Sequence, residues 1–144
     1  MFKKIIYILA VSFFINSSSA ISLENFYEAG KQKYNEKQLD DAKFLFQRSI
    51  VLNPKDTKSY LYLAKIYNSE KNQKEEEKNI KTVLLLDPVN EEAIYMQMKI
   101  DLKKSNYSEV KKSLKIYLKI CQELCEKEKS ILKSLKNLEP KNES

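Results

Sequence analysis

The sequence predicts an all-α fold of stacked helix pairs, and three observations predict it. The chain matches itself at an offset of thirty-four residues: Asn53-Pro54, after Ile50-Val51-Leu52, returns as Asp87-Pro88 after Leu84-Leu85-Leu86. Between these markers apolar residues recur three and four apart, the spacing of a half-buried helix. Strict alternation and glycine-bearing hairpin turns, the marks of strands, are missing. Gly30 is the single glycine.

Taken in order, the first pair of helical patterns covers about residues 23–35 and 39–52. The second covers 58–69 and 74–86, around Glu70-Lys71-Asn72-Gln73. The third covers 91–103 and 107–120, around Lys104-Ser105-Asn106. Pro54 and Pro88 end the helices before them, because proline lacks an amide and restricts its predecessor. Asp56 and Asn90 suit the starts that follow, and Asn106 with Glu109 has the spacing of a capping box. One further step of thirty-four brings Ile131, Leu132 and Leu135 into first-helix places, so a terminal helix is expected over about 125–138.

Residues 1–20 read differently. Met1-Phe2-Lys3-Lys4 leads into the apolar stretch Ile5 to Ile15, and Ser18 and Ala20 provide the small residues of a cleavage site. The apolar run is short of the roughly twenty residues that cross a bilayer. Residues 1–20 are therefore expected to be a signal removed on export, leaving 21–144 as one helical repeat domain with no membrane span. An uncleaved N-terminal membrane anchor is the alternative.

Composition excludes several functions. With no histidine and one glycine, imidazole-based zinc sites, histidine triads and glycine-rich phosphate loops cannot be built. No metal, no cofactor and no enzymatic activity are expected. The net charge is +6, yet Arg48 is the single arginine among 26 basic residues. Nucleic acid is a poor partner for such a chain, since its lysines alternate with acids. Carboxylate runs such as Glu75-Glu76-Glu77 are of the solvated kind.

The pattern resembles the tetratricopeptide repeat family. Phe26, Ala29-Gly30, Ala42, Phe46 and Pro54 carry the likeness in the first repeat (about 23–56). Tyr60, Leu63-Ala64, Tyr67, Ile80 and Pro88 carry it in the second (57–90), and Ile94, Met98, Tyr107, Val110 and Leu114 in the third (91–124). Lys33, Glu76, Gln97, Asp101 and Gln122 depart from it. Small residues at Gly30, Ala42 and Ala64 let helix axes approach to about 8–10 Å. Glu76 is expected to lean to solvent or to loosen the middle pair. The resemblance implies a right-handed α-solenoid with first helices along a concave groove that takes an extended peptide or partner helix. Groove-lining positions on that reading are Tyr27, Lys31 and Tyr34, then Leu61, Lys65 and Asn68, then Tyr95, Lys99 and Leu102.

Lys31, Lys65, Lys99 and Lys133 are each thirty-four residues apart. Stacking would align them as a positive track suited to an acidic or carboxylate-terminated segment, with an outer-face lysine such as Lys43 as the reference. Cys121 and Cys125 leave two readings open. On one continuous helix their Cβ atoms would sit about 5–6 Å apart, too far for good disulfide geometry. A corner at Gln122, where the earlier repeats break, would let them pair in an oxidising compartment. The function expected is a non-enzymatic interaction module or adaptor of the bacterial periplasm or cell envelope, its partner a protein or an acidic peptide. The alternatives are a structural protein that self-associates, which includes a homo-oligomer, and a hydrolase with an unrecognised carboxylate pair.

Overall fold

The structure, a computed structural model, describes residues 23–138. The expected signal at residues 1–20 lies outside the described residues. Among the described residues seven α-helices follow one another: α1 Leu23–Asn35, α2 Leu39–Leu52, α3 Thr57–Ser69, α4 Gln73–Leu86, α5 Glu91–Lys103, α6 Tyr107–Ile120 and α7 Glu128–Leu138. A short 3₁₀ turn, Cys125–Lys127, leads into α7. Helices α1/α2, α3/α4 and α5/α6 pack as pairs, α2 meets α3, α4 meets α5, and α7 lies on α5 and α6. The described residues form an α-solenoid of three helix pairs followed by a further helix, α7, that covers the third pair.

The helix ends repeat with the sequence. Lys37, Lys71 and Ser105, thirty-four apart, all take the left-handed conformation, with φ of 64°, 59° and 59°. After each, an amide reaches back five residues to a carbonyl: Gln38 to Lys33, Asn72 to Tyr67 and Asn106 to Asp101. That is the Schellman closure, which normally favours glycine. Asp56, Asn72 and Asn90 cap α3, α4 and α5 by accepting the amides of Ser59, Glu75 and Ala93. Asn106 forms no such cap, contrary to the expected capping box. Its amide group instead donates to Asp101 Oδ1 (3.3 Å).

The core runs through all three pairs. Gly30 is where the chain most needs a small residue: a methyl group there would come within 2.9 Å of Phe46 Cε1. Phe46 is fully buried, while Phe26, Tyr60 and Tyr67 are only half-buried. Glu76 is a correction to the sequence reading. It is 3% exposed, and Asn68 Nδ2 donates to its Oε1 (2.7 Å). It neither leans to solvent nor loosens the pair, because a buried acceptor with a partner is tolerated. Asp101 is buried and partnered likewise, accepting from Gln97 Nε2 (3.0 Å).

The seams between pairs share a register but not a chemistry. At the first, Asp56 accepts from the hydroxyls of Ser49 (2.7 Å) and Ser59 (2.5 Å), both buried. Thirty-four residues on stand Val83, Asn90 and Ala93, an apolar seam around the same cap. A further thirty-four on, the buried Tyr117 donates its hydroxyl to the carbonyl of Leu124. A salt bridge also recurs with its polarity reversed: Lys43–Glu70 (2.6 Å) joins α2 to the end of α3, and Glu77–Lys104 (2.5 Å) joins α4 to the end of α5. Lys104 and Lys81 together hold the Glu77 carboxyl below its usual range.

Candidate functional site

Helices α1, α3, α5 and α7 form one side of the stack, and the groove candidates lie on them. The structure divides these residues into two groups. Tyr27 and Tyr34 are half-buried around Tyr62 of α3, with ring centroids 6.0 and 5.0 Å from it. Tyr62 also stacks on Phe46, 4.9 Å away. Burial, with Tyr62 alongside, pushes the Tyr27 phenol up to about 12. These rings hold the first seam together and leave only their edges for a ligand. Leu61 packs on the middle core. Asn68 gives its amide to Glu76 inside the second pair.

The lysines are unequal. Lys65 Nζ pairs with Glu92 of α5 (2.8 Å) and lies 4.7 Å from the Tyr62 ring centroid. A charge so engaged is a weak attractor for a ligand. Lys31 borders a shallow surface with Glu28 and Glu36. Lys99 is exposed, with its ammonium 5.8 Å from the Tyr95 ring centroid, and Lys133 is exposed on α7. The positive track is thus interrupted at its second position by Glu92.

Between α5 and α7 the surface dips into a hollow of about 360 Å³. Tyr95, Leu102 and Ile131 contribute apolar surface, Leu138 lies at one end, and Lys99 and Lys103 stand at the rim. Three of the nine groove candidates, Tyr95, Lys99 and Leu102, meet here. Such an arrangement can hold an apolar side chain while two ammonium groups meet neighbouring carboxylates.

Among solved structures, the chain is similar to the type III secretion chaperone SycD of Yersinia enterocolitica, determined in complex with a peptide of the translocator YopD. The TM-score is 0.70, over 85% of this chain and 96% of that one, at 17% sequence identity. The likeness is one of fold. No family model matches the chain, and no curated protein does.

Cys121 and Cys125 are joined in a disulfide, with Cα atoms 5.2 Å apart. The α6 helix stops at Ile120, so the corner at Gln122, not a continuous helix, separates them. These cysteines occupy the places of Asn53/Asp87 and Thr57/Glu91 in the earlier seams. Leu124 stands where Asp56 and Asn90 cap, so the third corner lacks both its proline and its polar cap. The Lys127 amide, in the place of the capped Ser59 and Ala93 amides, goes to the backbone carbonyl of Leu124 (2.8 Å). Glu91 holds the corner at a different point, receiving the amides of Leu124 (2.6 Å) and Glu123 (3.3 Å). The Glu91 carboxylate and both sulfurs lie within 4.8 Å of one another. The sulfurs are spent on each other, however, and the carboxylate is spent on two amides. Sequence reasoning missed Glu91 and Tyr62; the offset of thirty-four from Thr57 to Glu91 to Cys125 was the available signal for the first.

Proposed function

We propose that the chain is an exported, non-catalytic adaptor of the tetratricopeptide kind, holding an acidic segment of a partner protein along its inner face. The observation that carries this reading is the α5–α7 hollow, where an apolar floor meets the rim lysines Lys99 and Lys103. SycD, similar in fold, was solved with a peptide of a partner protein, which supports a peptide as the occupant class. The order Lys3-Lys4, apolar run, Ser18-x-Ala20 supports export and a periplasmic or envelope location.

The test begins with cross-linking and affinity recovery of the partner from the native envelope. The partner is then titrated against Lys31→Glu, Lys65→Glu, Lys99→Glu and an outer-face control at two ionic strengths. Lys43 is unsuitable as that control, because it ties Asp40 and Glu70 together. Lys78, whose side chain is largely exposed, replaces it. Lys99→Glu should weaken binding most, and more at low salt than at high. Lys65→Glu should act chiefly through its lost contact with Glu92, which a melting curve will reveal. Equal affinities for the Lys31, Lys99 and Lys78 variants, each with an unaltered melt, would reject the inner face as the binding surface.

A further inference from the structure

The outer helices end in aliphatic residues that the core does not use. In Ile50-Val51-Leu52 and Leu84-Leu85-Leu86 the first residue packs partly inward. Val51 is 72% exposed and its counterpart Leu85, thirty-four residues on, is 82% exposed. Leu52, Val89 of the following corner and Leu118 of α6 are about half exposed or more. The repeat aligns Val51 with Leu85 and Leu52 with Leu86, while Val89 and Leu118 stand in the places of Lys55 and of Ile50 and Leu84. All lie towards the edge where each outer helix ends and the next inner helix begins. Among the described residues nothing covers them, and several large aliphatics along one edge are more than a folded surface needs.

Basic groups frame the same edge. Arg48 and Lys55 flank Val51 and Leu52, Lys81 precedes Leu85 by one turn, and Lys115 and Lys119 bracket Leu118. The acids nearby are largely engaged: Asp56 and Asp87 in seam hydrogen bonds, Glu91 on two amides, and Glu77 with Lys81 and Lys104. Glu123 and Glu126 in the third corner, and Glu28 beside the first, are exposed exceptions.

We infer that this edge docks on an anionic lipid bilayer. Protruding aliphatic side chains need no matching cleft when the occupant is the fluid boundary between headgroups and acyl chains. Lysine and arginine stems can lie along that boundary with their charges among lipid phosphates. A second copy fits less well, since a two-fold contact through this edge would bring the basic groups of one copy, Arg48, Lys55, Lys115 and Lys119, against the basic groups of the other. The inner face lies elsewhere on the stack, so a membrane-bound chain keeps its groove open.

The experiment is co-sedimentation of the full chain with phosphatidylcholine vesicles and with vesicles containing phosphatidylglycerol, at low and high salt. Wild type should partition to the anionic vesicles and be released by salt. Val51→Asp with Leu85→Asp should lower the partition by at least about tenfold, from lost apolar insertion. Lys115→Glu with Lys119→Glu should also lower it by at least about tenfold, from lost attraction. Lys71→Glu, an exposed change at the opposite edge, should alter it by less than about twofold. All variants alter exposed residues, and helical melts confirm their folds before comparison. The apolar stretch Ile5 to Ile15 is common to every variant, so binding driven by it would be equal in all of them. Equal partition across the variants overturns the proposal. Failure of wild type to bind anionic vesicles overturns it too, and points to a protein as the edge's occupant.

Discussion

Replacing Asp56 by alanine removes the centre of the first seam. Its carboxylate accepts the Ser59 amide (3.2 Å) and the hydroxyls of Ser49 and Ser59. Loss of a helix cap costs about 1 kcal/mol. Each buried hydroxyl left without a partner costs about 1–3 kcal/mol, at the lower end if it can turn to a carbonyl of its own helix. The expected loss for Asp56→Ala is about 2–4 kcal/mol, or about 8–16 °C in melting temperature for a domain of this size. The second seam supplies a rescue, because Val83, Asn90 and Ala93 fill the same register without the two hydroxyls. The combination Ser49→Val, Asp56→Asn and Ser59→Ala should therefore recover stability to within about 1 kcal/mol of wild type. Urea denaturation followed by circular dichroism measures both, with an unchanged slope confirming that the folded and unfolded ends are comparable. A loss below about 0.5 kcal/mol for Asp56→Ala would refute the reasoning, since surface substitutions give as little. So would a triple variant as unstable as the single one.

Three further outcomes are expected. Gly30→Ala should lose about 1 kcal/mol in the same assay, because crowding the buried Phe46 ring costs about 1–3 kcal/mol and better helix propensity returns about 1. Converting Cys121 and Cys125 to serine should cost about 2 kcal/mol, the entropy of a very short closed loop, and should first loosen α7; mass analysis with and without reduction establishes the bond beforehand. Stability should fall as pH rises beyond 10.0, where tyrosines of the unfolded chain ionise while burial holds Tyr27 and Tyr117 neutral to about 12. The folded chain then binds more protons than the unfolded one, which gives the slope its negative sign. The Lys43 ammonium, held above its usual range by Glu70, adds to the same alkaline loss. Thermal melts across the alkaline range check this; an unchanged midpoint from pH 10 to 12 would contradict it.

The helices were legible because their causes are local. Apolar spacing and the prolines located α1, α2, α5 and α6 to the residue, and α3 and α4 start one residue earlier, at Thr57 and Gln73. Polar misfits were harder, because their partners lie across a helix pair or a turn away. Glu76 is explained by Asn68, and Asp101 by Gln97 and Asn106. A linear reading gives Asn68, Gln97 and Asn106 other roles and pairs none of them with a buried acid. The inner face was only partly legible for a similar reason. Counting helix positions found Tyr95, Lys99 and Leu102, which share one hollow. It gave no hint that Tyr62 would draw Tyr27 and Tyr34 towards the first seam, or that Glu92 would reach Lys65. Those contacts depend on ring size and side-chain reach between successive repeats, which periodicity does not encode.

The reversed salt bridge has a consequence for how such a chain avoids folding wrongly. Units of equal length and similar shape can dock out of turn, the first against the third while the second is still unfolded. In that misassembly Lys43 of α2 would face Lys104 at the end of α5, where it should face Glu70. Attraction becomes repulsion, and the hydrogen-bonding Ser49 meets an apolar Ala93 where it should find Ser59. Each unit thus carries a charge pattern that its proper neighbour matches and a skipped neighbour would oppose.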